Sequence, residues 1–213
     1  MSAKTRLILF CGVVALLTLL PVTPLAYVTN GVHWATIPVP YRLNPANQDG
    51  LPIAAVEASV KNGADTWQVQ SGAPVGFQFV GLSTDNMVSL DSTNLVMFRN
   101  QSNGAAIATT YTWMSNSDII EFDMVFWDAG FTFYTGSIGC AGGFYIEDIA
   151  AHEFGHALGM AHSTVPSATM YPSTPPCNTS LRTLDDDDIA GIRSLYPPIE
   201  TPPPAPTGFH IVK

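Results

Sequence analysis

Residues 152 to 162 read HEFGHALGMAH, and three of the chain's five histidines fall inside this one stretch. His152 and His156 stand four apart. On a helix that spacing projects both imidazoles from one face a turn from each other, as two ligands of one tetrahedral zinc require. A helix continued to His162 would carry its ring about 15 Å along the axis from His152, whereas zinc–nitrogen bonds are about 2.0 to 2.1 Å long. The chain must therefore turn back, and Gly159 is the residue that can end a helix in the left-handed conformation at no steric cost. Three neutral imidazoles leave the fourth position to water, the open arrangement of a catalytic metal. Glu153 is then placed to take a proton from the metal-bound water and pass it to a leaving amine while zinc polarises the carbonyl. The plainer alternative is a buried helix whose histidines bond to backbone carbonyls. His33 and His210 stand alone and read as structural or solvated.

These side chains need a frame. Apolar positions Ile53, Val56, Val60, Ala64 and Trp67 recur at three and four, which predicts an amphipathic helix over 52–70 that Gly72 and Pro74 end. A second helix is read over 146–158 to carry the histidines, and a third over 186–195, where Asp185 can cap and the following aspartates favour the positive end of the dipole. The run Asp185 to Asp188 reads as a charged helix start, with calcium binding as the alternative. Strands are expected at 33–43, 75–80, 94–98, 105–114 and 119–127, the last two forming a hairpin around Ser115 to Asp118. The glycine-rich stretch 128–143 reads as a long surface loop.

The chain has 213 residues and a formal net charge of −9, enough for one domain with a core and a poor match to nucleic acid. Lys4 and Arg6 precede an apolar run from Leu7 to Val22, followed by Pro24 and Ala26, which reads as an export leader over 1–26. That run is shorter than the roughly 20 residues a membrane span needs, so no stable span is expected once the leader is removed; Pro24, where a small residue is usual before a cleavage site, leaves an uncleaved anchor as the alternative. The exported form would carry 6 basic against 17 acidic residues, or −11. It would also keep two cysteines, Cys140 and Cys177, and an even pair in an oxidising compartment reads first as a disulfide. Six prolines between Pro197 and Pro206 make 198–213 an extended linker or tail, with room for a further domain after it. The domain itself, 27–197, is expected to be a secreted, extracellular monomer.

HExxHxxGxxH with a later methionine turn resembles the metzincin signature, and Ser167 to Pro172 (SATMYP) looks like that turn. Met170 would then pack beneath the metal without ligating it. Ser163 after the third histidine, the MYP triplet and LDDDDIAGIRSLYP at 184–197 together resemble the matrixins; astacins would show Glu and adamalysins Asp after that histidine. More weakly, the helix ending in Trp67 and the hairpin at 110–127 resemble a bacterial-type matrixin domain. The resemblance implies an α+β, zincin-like catalytic domain: a five-stranded twisted mixed sheet, three helices, and a zinc cleft between upper and lower subdomains. It implies a polypeptide substrate laid along an edge strand, for which 105–114 is the candidate. Pro172, Ser173 and Thr174 would border the specificity pocket, with Thr174 where matrixins commonly carry tyrosine. No PRCGxPD segment is present, so latency of the cysteine-switch kind is not expected, and the histidines of a second, structural zinc are missing. One catalytic zinc is therefore expected. Calcium is left open, with Glu121, Asp123 and Asp128 as its candidate ligands beside the alternative of plain solvated carboxylates. Two rivals stay beside the secreted zinc endopeptidase: a zinc-stabilised binding module, and an amidase acting on cell-wall peptides.

Overall fold

A computed structural model of the chain describes residues 26–198. The expected leader, save Ala26, and the tail beyond Pro198 lie outside the described residues. In chain order the elements are β1 (Val28–Thr29), β2 (Val39–Asn44), α1 (Ile53–Gln70), β3 (Phe77–Leu82), β4 (Leu95–Arg99), β5 (Ala108–Ser115), β6 (Asp118–Trp127), β7 (Phe133–Tyr134), β8 (Phe144–Tyr145), α2 (Ile146–Ala157), β9 (Met160–Ala161), a 3₁₀ turn at Ser180–Arg182, and α3 (Asp186–Leu195). Five strands form one mixed sheet in the order β3-β2-β4-β6-β5. The first four run parallel, and β5 returns antiparallel on β6 through the hairpin. The fold is therefore α+β with three α-helices, and β5 lies at a sheet edge with its outer side unpaired among the described residues.

Packing fixes the helix that carries the histidines. Phe154 points into the core from α2, its ring 4.5 Å from that of Phe77 and 5.3 Å from that of Tyr41. Burying such a ring is worth roughly 1.5–3 kcal/mol. Helix α1 lies against α2 because Gly63 has no side chain: a Cβ there would sit 2.6 Å from that of Ala150. Two indoles then bracket α2, Trp67 Nε1 donating to the Ala151 carbonyl at 2.8 Å and Trp34 Nε1 to the Ala157 carbonyl at 2.8 Å. The second of these carbonyls belongs to the last turn of α2, where helical carbonyls lack partners of their own.

Three departures from the sequence reading have plain causes. The strand expected at 33–43 is β2, which begins at Val39 rather than His33, and His33 is left with an isolated bridge to Asp118. Residues 128–143 are not wholly loop: β7 pairs in parallel with β8 because Phe133 must be buried against Phe98 and Phe126. Likewise β1 pairs with β9, a two-residue ladder too short to leave a periodicity. The three helices stand within a residue of their expected bounds.

Candidate active site

Helix α2 carries His152, Glu153 and His156 toward the cleft, then stops. Its last carbonyls are taken by Leu158 N–H and Gly159 N–H, and Gly159 adopts φ +95°. A side chain there would also collide with the Val32 carbonyl oxygen, so glycine is required twice over. The reversal runs into β9 and returns His162 to the cleft. The Nε2 atoms of His152 and His156 lie 3.1 Å apart and those of His156 and His162 3.2 Å apart. Among the described residues these three form the single group of histidines, cysteines and acids gathered closely enough to hold an ion.

The tautomers favour a metal. His152 Nδ1 donates to the Thr169 carbonyl at 2.7 Å and His156 Nδ1 to that of Met160 at 2.9 Å. Each ring then presents a bare Nε2 lone pair to the centre. Lone pairs facing each other at 3.1 Å repel unless a cation sits between them, and a neutral N₃ set is what zinc takes. Burial, reinforced by His156, pushes His152 down to about 3 and lowers His162, so both rings are neutral at pH 7.

Glu153 is buried beside them. Burial raises its pKa, while the neighbouring His156 and a hydrogen bond from Thr110 lower it. Thr110 Oγ1, on β5, donates to Glu153 Oε2 at 2.7 Å and lies 3.1 Å from the carbonyl of the same residue. A cavity of about 170 Å³ is lined by His152, Glu153 and His162 together with Ile149, Leu181, Pro172, Ser173 and Thr174. Ala105 to Ala108, which lead into β5, line it too.

Met170 lies fully buried against Gly155 and Trp67, beneath the histidine helix. The sequence reading missed what holds it. Asp188 closes the capping box of α3 with Asp185 and also accepts the main-chain N–H of Thr169 at 2.7 Å and of Met170 at 3.0 Å. Asp187 accepts Ser163 Oγ at 2.6 Å and the main-chain N–H of Tyr27 at 2.8 Å. The acidic run is thus more than a charged helix start: two of its members are buried braces for the segment beneath the site. A signal was available, since a helix start needs one cap and this one offers four acids in succession. Cys140 and Cys177 are joined, linking the 136–143 segment to the segment that lines the cavity.

Glu121, Asp123 and Asp128 do not converge. Glu121 accepts main-chain N–H groups of Asp91 and Ser92, and Asp123 those of Ser89 and Leu95. Asp128 accepts from Gln48 N–H with one oxygen and leaves its buried Oδ1 without a partner, lining a cavity shared with Asp49.

A three-histidine site on a helix that ends at glycine, an adjacent buried glutamate and a methionine turn beneath, set under a mixed sheet with a free edge, define a zinc metalloendopeptidase domain of the metzincin type. The family model for Matrixin matches residues 33–197, and the chain belongs to that family. Short stretches of the chain are similar to stretches of other proteins, among them these three. One is matrix metalloproteinase-20 of Homo sapiens, 55% identical over 56 residues, covering 26% of this chain and 12% of that protein. Another is the hatching enzyme of Paracentrotus lividus, 55% over 62 residues, 29% of this chain and 10% of the relative. The third is neutrophil collagenase of Homo sapiens, 50% over 60 residues, with 28% and 13% covered. The matched stretches span little more than a tenth of those relatives' lengths.

Proposed function

We propose that this protein is a secreted endopeptidase in which His152, His156 and His162 hold one zinc ion and Glu153 moves the proton. The observation that carries the reading is the convergence of three Nε2 atoms, 3.1 and 3.2 Å apart and two of them bare, beside a cavity that Glu153 also lines. Zinc, when bound, supplies Lewis acidity to a peptide carbonyl and acidifies water. Glu153 accepts the proton of the attacking water and returns it to the amine that leaves. Thr110 holds the carboxylate that does so. An extended polypeptide lies along the free edge of β5, whose main-chain N–H and C=O groups it pairs with, and sets one side chain into the cavity lined by Pro172, Ser173 and Thr174. Met170 supports the metal helix by packing.

No helix among the described residues is long and apolar enough to cross a membrane. We read 1–26 as an export leader; cleavage after Ala26 would leave the amino group of Tyr27 against buried Asp187. Of the three acids offered for calcium we retain Asp128, because its Oδ1 has no other partner.

Glu153→Gln tests the mechanism. The variant should keep zinc near one per chain and lose peptide cleavage by several orders of magnitude, while phenanthroline silences the wild type and added zinc restores it. Retained turnover in the variant would discard the role of Glu153. Digestion of a random peptide library by the wild type separates the endopeptidase from a binding module, which would cut nothing, and from an amidase confined to cross-linked wall peptides.

A further inference from the structure

Two neighbouring pairs of residues meet behind the substrate cavity. Ile149 and Leu181 face into it; the residues next to each in sequence, Asp148 and Arg182, face each other behind it. Asp148 is 1% exposed. One of its carboxylate oxygens accepts Arg182 Nε, and the other accepts the main-chain N–H of Leu181 at 3.2 Å. The carbonyl of Leu181 is held too, by Thr169 Oγ1 at 3.1 Å. Arg182 directs two further donors to Glu147 Oε2 at 3.3 Å and the Gly136 carbonyl at 2.9 Å, and its guanidinium lies 5.1 Å from the centre of the Tyr145 ring. Leu181, which lines the cavity, is therefore tied at both main-chain groups and cannot retreat from an incoming side chain.

We propose that Asp148 and Arg182 are specificity-determining positioning residues: their ion pair holds Leu181 in the wall of the cavity, and so limits the size of the substrate side chain that enters it. Neither residue touches the substrate. An apolar pocket separates side chains differing by one methylene about 10- to 200-fold, so long as its wall does not yield. A wall whose main-chain N–H is held by the buried ion pair and whose carbonyl is held by Thr169 meets that condition; a wall on a free loop would not.

The test rests on the endopeptidase reading and uses peptides, cut by the wild type, that differ only in leucine or phenylalanine at the position filling the cavity. Removing one member of the pair would strand a buried charge, so both are replaced together, Asp148→Leu with Arg182→Met. The phenylalanine-to-leucine ratio of kcat/KM should rise at least tenfold, with zinc content unchanged. Leu181→Ala, which enlarges the cavity directly, should raise the same ratio. Where the double variant fails to load zinc, Arg182→Lys, which keeps the charge but loses the fork, should move the ratio in the same direction by a smaller factor. A ratio unchanged in the variant that loads zinc, with both substrates slowed alike, would overturn the inference and leave the pair a stabilising contact. A zinc-loaded wild type that cuts no peptide would instead refute the endopeptidase reading.

Discussion

Thr110→Val replaces a hydroxyl by a methyl of the same shape and leaves the pairing of β5 with β6 intact. The hydroxyl lies 2.7 Å from Glu153 Oε2, and hydrogen bonds to charged groups are worth about 1.5–3 kcal/mol. The alternative acceptor, the Glu153 carbonyl at 3.1 Å, lies inside α2 and keeps its helical partner, so removing the hydroxyl strands no main-chain group. If the bond holds the carboxylate in its reactive orientation, its loss falls on the chemical step, and at tenfold per 1.36 kcal/mol kcat drops about 10- to 150-fold. KM should stay within about threefold. Because the bond favours the ionised carboxylate while burial opposes it, the acidic limb of kcat/KM should also move to higher pH in the variant. The assay is steady-state cleavage of one peptide across pH 5 to 9, with zinc measured on the same samples, and Thr110→Ser should recover most of the loss. Turnover within twofold of wild type, at equal zinc, would show that the hydroxyl does not position Glu153.

Gly159→Ala forces φ +95° on a side chain that meets the Val32 carbonyl; stability should fall by about 1–3 kcal/mol or more and zinc affinity with it, read by thermal melts with and without metal. Asp188→Ala removes acceptors from Asp185, Thr169 and Met170 at once and should cost about 3 kcal/mol or more in chemical denaturation, with zinc held more weakly because Thr169 also orients His152. Burial raises Asp123 from 3.8 to about 6, so the folded state takes up that proton first and stability grows as pH falls through 6, the growth ending near 3.8. Relative to Asp123→Asn, the wild type should gain about 1.3 kcal/mol between pH 7 and pH 5; parallel pH profiles of the two proteins would refute this.

Local pattern made much of this legible. His152 and His156 declare themselves by a four-residue step, α1 by its apolar stripe, and α3 by Asp185 at its start, since each signal lies within a few residues of what it organises. Thr110 and Glu153 are 43 residues apart, and Tyr27 and Asp187 are 160 apart. Nothing local marks such partners, because topology alone brings them together. The paired dipeptides at 28–29 and 160–161, and at 133–134 and 144–145, are shorter than any period that could betray them. Asp148 and Arg182 were silent for a related reason: an acid on a helix and a base on a turn are ordinary surface residues until Tyr145 and the 136–143 segment enclose them.

The two indoles that clasp the histidine helix give the protein an internal optical gauge. Trp67 touches Gly155, between the first two histidines, and Trp34 holds the final turn before the reversal at Gly159. Loosening of that helix must free both rings from their carbonyls, changing their emission without any added dye. Cobalt exchanged into the three imidazoles would be near enough to Trp67 to quench it, so departure of the ion and unravelling of its support could be timed separately in one cuvette.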